Sequence, residues 1–214
     1  MKLTKYSHAC VLLEQNGEKL LIDPGIFSEL PDVLTGINVL VITHVHPDHI
    51  DGEKIKKLLA TNPDAKIFTV HEVAEQLQDY PDVIEVIDGD TEHVGVFTLE
   101  FFGGEHAAIH SDYGSFQNIG VLVNDSVYYP GDSFVAPEKP VRVLLAPAAA
   151  PWLKISEAMD FITYVHPKIV VPTHDAILSS EGKAVHDRML DLAAEKINTS
   201  YKRLAPGESI VLST

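Results

Sequence analysis

The stretch Val39-Leu40-Val41-Ile42-Thr43-His44-Val45-His46-Pro47-Asp48-His49 decides how this chain is read. Its first four residues are apolar without a break, as expected of a strand buried on both faces. Three histidines and an aspartate then fall between positions 44 and 49. In extended backbone, residues two apart face the same way, so His44 and His46 point into one site. Pro47 forces a turn that swings Asp48 and His49 toward a neighbouring point. Imidazoles and a carboxylate at this density suit zinc, manganese or iron. Asp51 is placed to cap a helix reaching residue 60, with Ile55, Leu58 and Leu59 on its inner face.

Upstream, residues 10–13 and 19–22 read as strands joined at Asn16-Gly17, and Asp23-Pro24-Gly25 ends the second. Downstream, strands are expected over 66–70, 84–87, 96–102, 119–123, 127–129, 141–145, 169–171 and 210–212. Helices are expected over 71–78, over 156–165 with Ser156 as its cap and His166-Pro167 as its stop, and over 181–197. Strands interspersed with helices fit mixed sheets covered by helices, a layered α/β sandwich. No repeat, linker or low-complexity run divides the 214 residues, so one domain over 1–214 is expected.

The chain carries 31 acidic residues against 16 Lys and Arg, a formal net charge of -15. That balance argues against tracking nucleic-acid phosphates, which requires Lys and Arg. It does not bar a small substrate, an anionic one included, from a local positive pocket. A single cysteine, Cys10, excludes an intrachain disulfide and a four-cysteine zinc site. It lies in an apolar strand and reads as an inert core thiol. No secretory leader is visible, and no apolar run reaches the ~18 residues of a membrane helix. A cytoplasmic protein without nucleic-acid or membrane partners is expected; homo-oligomerisation is left open.

The pattern His44, His46, Asp48, His49 resembles the His-x-His-x-Asp-His signature of the metallo-β-lactamase-fold hydrolases. Further elements match that family in order. They are Ile22-Asp23-Pro24-Gly25, Gly103-Gly104-Glu105-His106, Tyr129-Pro130-Gly131-Asp132-Ser133 and Val171-Pro172-Thr173-His174. Within the family the chain most resembles the compact ascorbate-6-phosphate-lactonase-like branch. Lys5-Tyr6-Ser7-His8-Ala9 is similar to that branch's early Gly-His-Ser element, and residues 146–158 to the loop and helix before its last histidine. The resemblance implies a four-layer αββα sandwich of two mixed sheets, with the site at one edge. It implies two divalent metals, zinc first, with manganese or iron admitted. His44, His46 and His106 would hold one, Asp48, His49 and His174 the other, and Asp132 would bridge them. The activity implied is hydrolysis of a small ester, lactone or phosphoester by a metal-bridging hydroxide, with Asp48 handling a proton besides ligating.

His8 and His110 are expected beside the metals and stand with Asp48 as candidate catalytic residues. Asp23 reads as a carboxylate that orients a ligating imidazole. Asp112 and Tyr113 are candidates for the pocket wall, Trp152 for a packing anchor, and Lys154 for a cation facing substrate. His71, His93, His166 and His186 are assigned structural places. Two other function classes compete. One is a mononuclear iron dioxygenase acting on thiols or persulfides, because ligand identity alone does not select zinc over iron. The other is a protein that retains metal without turnover.

Overall fold

The computed structural model describes residues 1–212. The first sheet is built from β1 (Lys2–Lys5), β2 (Val11–Gln15), β3 (Glu18–Ile22), β4 (Ile37–Ile42), β5 (Lys66–Thr69), β6 (Val83–Glu85) and the final strand β14 (Ser209–Val211). Its order is β14-β1-β2-β3-β4-β5-β6. The pairings from β14 to β3 are antiparallel, and those from β3 to β6 are parallel. The second sheet contains β7 (Thr91–Val94), β8 (Phe97–Phe102), β9 (Gly120–Val123), β10 (Val127–Tyr129), β11 (Val143–Pro147), β12 (Ile169–Thr173) and β13 (Ser200–Tyr201). They run in the order β13-β12-β11-β10-β9-β8-β7. It too is mixed, antiparallel from β7 to β10 and parallel from β10 to β13.

Period-two alternation decides the layers. On β10 and β11, Val127, Tyr129, Val143 and Leu145 enter an apolar cluster shared with Leu13, Leu21 and Val41 of the first sheet. Their neighbours Tyr128, Leu144 and Ala146 point the other way, into a cluster with Phe161 and Ile162 of α3 (Ile155–Val165) and Leu190 and Ala194 of α4 (Ser180–Lys196). On the first sheet, α1 (Gly52–Thr61) makes the parallel crossover from β4 to β5 and buries Ile55 and Leu58; a single turn, α2 (His71–Ala74), follows β5. The result is the expected sandwich of two mixed sheets flanked by helices.

Asp51 caps α1 as expected, accepting from the Glu53 and Lys54 N–H groups. Ser156 does not cap α3. That helix starts earlier, with Lys154 as an extended N-cap whose carbonyl accepts from Glu157, so Ser156 already lies inside the first turn. The helix after β5 is shorter than expected, and β1, β7 and β13 were not anticipated. Among the described residues, no helix is long and apolar enough to cross a membrane.

Candidate metal centre

The donors lie where strands end. His44 follows β4, Asp23 follows β3, His106 follows β8, Asp132 follows β10 and His174 follows β12. Carboxyl ends of parallel strands converge at one edge, and side chains just past them share a crevice. Two groups of donors assemble there, each with ligand atoms within 4.8 Å of one another. One is His44, His46, His106 and Asp132; the other is His8, Asp48, His49 and His174. All seven residues read as metal ligands are therefore brought together. Asp132 reaches across the division: its Oδ1 is 3.3 Å from His49 Nε2, and its Oδ2 is 3.4 Å from His106 Nε2 and 3.1 Å from His174 Nε2.

The imidazoles are held by their other nitrogens. His106 Nδ1 donates to the Ala107 carbonyl and His174 Nδ1 to the Ala149 carbonyl, both at 2.6 Å. His49 Nδ1 donates to Asp23 Oδ2 at 2.6 Å. Asp23 also accepts from the Thr43 N–H and hydroxyl, and the Thr43 hydroxyl oxygen meets His44 Nδ1 at 3.0 Å. One buried carboxylate thus orients a histidine in each group, as expected of Asp23. With Nδ1 occupied, the Nε2 atoms of His44, His49, His106 and His174 are left as the inward-facing ligand atoms. The Nε2 atoms of His44, His46, His49, His106 and His174, with Asp132 Oδ1, are buried without any hydrogen-bond partner. Orphaned buried polar atoms are costly, and six of them gathered in two neighbouring groups form a candidate donor set for metal ions.

Backbone fit is tight around these groups. A Cβ on Gly25 would lie 1.9 Å from the Asp48 carbonyl oxygen, so only glycine lets the Asp23–Gly25 turn pack on the 48–49 peptide. Gly131, at φ +63°, likewise has Asn118 Oδ1 where a Cβ would go. Asn118 clamps this turn, accepting from the Asp132 N–H and donating to the Pro130 carbonyl. Its role had no signal in the sequence, since a lone asparagine before a strand carries no motif. Trp152 also exceeds its expected part as an anchor: its indole N–H donates to Asp132 Oδ2 at 2.7 Å.

Charge divides the two groups. Burial pushes the pKa of His44 and His46 below that of a free imidazole. Burial also opposes protonation of His49 and His174, but Asp132, aided by Asp23 at His49 and by Asp48 at His174, outweighs it. His49 is raised well above its ordinary value and His174 is pushed up to about 9. Burial resists ionisation of Asp48 and Asp132, yet the surrounding imidazoles hold both carboxyls below the usual carboxylate range.

His8 is fully buried, with Nε2 3.0 Å from Asp48 Oδ2. Its Nδ1 accepts the Ala176 N–H. His110 is in neither group; it is exposed and its ring faces Asp112 at 3.7 Å. Asp112, Tyr113 and Lys154 are exposed as well. His186 braces the Ala148 carbonyl, and His71 and His93 pair with Glu85 and Thr98 at the surface.

Two mixed sheets whose strand ends converge on paired His/Asp groups define a metallo-β-lactamase-type domain. The model of the beta-lactamase superfamily domain matches residues 2–174, and the chain belongs to that family. It is 38% identical over 216 residues to Protein Rv0786c of Mycobacterium tuberculosis, covering 99% of both chains. It is 29% identical to a UPF0173 metal-dependent hydrolase of Methanosarcina mazei, again over 99% of both. Among solved structures it is similar to Igni18, a metallo hydrolase of the archaeon Ignicoccus hospitalis. The TM-score is 0.78 and the identity 22%, over 100% of this chain and 98% of that one.

Proposed function

We propose that this metal-dependent hydrolase works as one domain with two divalent ions, zinc first, on a small ester, lactone or phosphoester. The observation that carries the reading is the set of six buried donor atoms without partners, in two groups, with Asp132 of one lying 3.3 Å from His49 and 3.1 Å from His174 of the other. His44, His46 and His106 would hold one ion, Asp48, His49 and His174 the other, and Asp132 would span both. Ions held there would polarise the substrate's reacting oxygen and bring a water to hydroxide near neutral pH.

The chain's own part is orientation and proton handling. Asp48 is the carboxylate with partial exposure, 22% of its side chain, so it faces the approach of water and substrate. It is assigned the proton of the attacking water. His8 holds Asp48 in place: because its Nδ1 accepts the Ala176 N–H, a neutral ring keeps its hydrogen on Nε2 and donates it to Asp48. His8 is therefore a positioning residue and not a fourth ligand. His110 is assigned no step. A cytoplasmic setting goes with this reading, in which Cys10 is a free, buried thiol.

The test is a panel of lactones, thioesters, phosphodiesters and sugar phosphates, assayed with zinc, manganese and iron. Turnover that requires two ions per chain supports the reading. One iron per chain with oxygen uptake on thiol substrates would establish the dioxygenase instead. Full metal occupancy with no turnover would leave a binding protein.

A further inference from the structure

The walls of the metal centre are aromatic, and their rings touch the rings of the site itself. The Phe27 ring stands edge-on to His8 at 5.2 Å between centroids. On the opposite group, Phe116 stands against His46 at 4.7 Å, and Trp152 against His106 at 6.0 Å. Tyr113 extends this wall beyond Phe116, at 6.1 Å. These rings are not sealed into the core: Phe27 is 41% exposed and Tyr113 59%. Ile177, 52% exposed, follows the Ala176 whose N–H holds His8. Exposed apolar surface gathered around a reactive centre marks what binds there, because water covers it at a cost that a ligand's apolar group removes.

The loops that carry these rings are tied to the centre. Ile26 N–H donates to the Pro47 carbonyl, and Lys54 Nζ donates to the Gly25 and Ile26 carbonyls, so the Phe27 turn is braced against the Asp48 loop. The 107–116 loop is closed at its base: Ala107 N–H donates to the Asp132 carbonyl, and His106 N–H to the Phe116 carbonyl. Guanidinium groups, which would clamp a phosphate or carboxylate, lie elsewhere. Arg142 precedes β11 at the far end of the sheet, Arg203 is tied to Asp175 and Asp187, and Arg188 is exposed on α4.

We propose that the substrate carries an uncharged alkyl or aryl group next to its reacting bond, seated between Phe27 on one side and Phe116 and Tyr113 on the other. This rests on the two-metal hydrolase reading for the chemistry, but its binding consequence is separable from turnover. What covers these rings must be the substrate's own substituent, because they flank the ligating and positioning imidazoles where the reacting bond has to sit.

The experiment uses the zinc-loaded full chain and a series of hydroxamates, whose common head chelates metal. Binding is followed by the fluorescence of Trp152, the chain's one tryptophan, which lies against the centre. Affinity is expected to rise roughly fourfold per methylene from acetohydroxamate through butyro- to hexanohydroxamate. Benzohydroxamate should bind more tightly than acetohydroxamate, and the monohydroxamate of succinate, which tests recruitment of an anion by exposed Lys154, more weakly than butyrohydroxamate. Phe27→Ala and Tyr113→Ala, both at exposed positions, should flatten the series, whereas Val211→Ala, an exposed apolar residue paired with Lys2 at the end of β1 away from His8, should leave its slope intact. A flat series, a preference for the succinyl compound, or no binding by any member would overturn the proposal. A flat series with normal ester turnover sinks the apolar seat alone. An intact slope with no turnover of any ester, lactone or phosphoester sinks the hydrolase reading alone.

Discussion

The two donor groups use the same residue types, but their surroundings push imidazole protonation in opposite directions. Around His44, His46 and His106 the orienting partners are a hydroxyl and a backbone carbonyl, and burial strips protons from His44 and His46. Around His49 and His174, carboxylates crowd in and protons are retained. In the first group burial disfavours a proton on His44 and His46, which leaves those rings open to a cation. In the second, protons occupy the place a cation would take. Similar ligand chemistry is thus differentiated by which imidazoles face carboxylates, and loading beside His49 and His174 is expected to release more protons than loading beside His44 and His46.

The largest effect should come from removing what the groups share. Asp132→Ala is expected to reduce bound metal from two ions to at most one and to lower turnover at least about a hundredfold, read by metal analysis and steady-state kinetics. Two ions and near-normal turnover in that variant would show that Asp132 does not join the groups.

The protonation contrast predicts a pH effect on the metal-free protein. His174 has a folded pKa of about 9 against an ordinary 6.5, so its stabilisation is present in full below about pH 6.5 and is lost as pH rises through about 9. The loss is of order 3 kcal/mol. Urea unfolding at pH 6 and pH 9.5 would measure it, and the zinc-loaded protein should lack it. Equal pH dependence with and without metal would remove the contrast.

A smaller and asymmetric effect is expected of Asp23→Asn, about 10–100-fold in metal affinity. His49 bonds Asp23 directly, whereas His44 is reached through Thr43, so the second group should weaken more. Competition with a chelator would resolve the two affinities; equal weakening would contradict the wiring.

The stretch around His44 carried most of the fold, because a fully apolar strand feeding a histidine-dense turn leaves little else to build. The remaining donors were legible for the same reason: each follows an apolar run, so position in the sequence translated into position at one sheet edge. Asp23 was legible as an orienting carboxylate from its place after a strand. The Trp152 bond to Asp132 and the Asn118 clamp were not, since both join segments distant in sequence and neither residue type announces a partner. Strands β1, β7 and β13 were hidden because they are short or polar. In β1 the buried residue at the last position is Lys5, whose burial is made tolerable by Asp175 at 3.0 Å and by the Pro172 carbonyl, neither visible locally. Ser156 misled because a capping residue type does not decide where a helix starts when the preceding backbone already supplies a carbonyl at Lys154.

The most direct measurement is a stepwise zinc titration of the metal-free chain in weak buffer near pH 8, following Trp152 fluorescence and proton release together. Two equivalents per chain are expected, with most of the protons released by the equivalent that enters beside His49 and His174. Saturation at one equivalent, or equal proton release at both steps, would contradict that expectation.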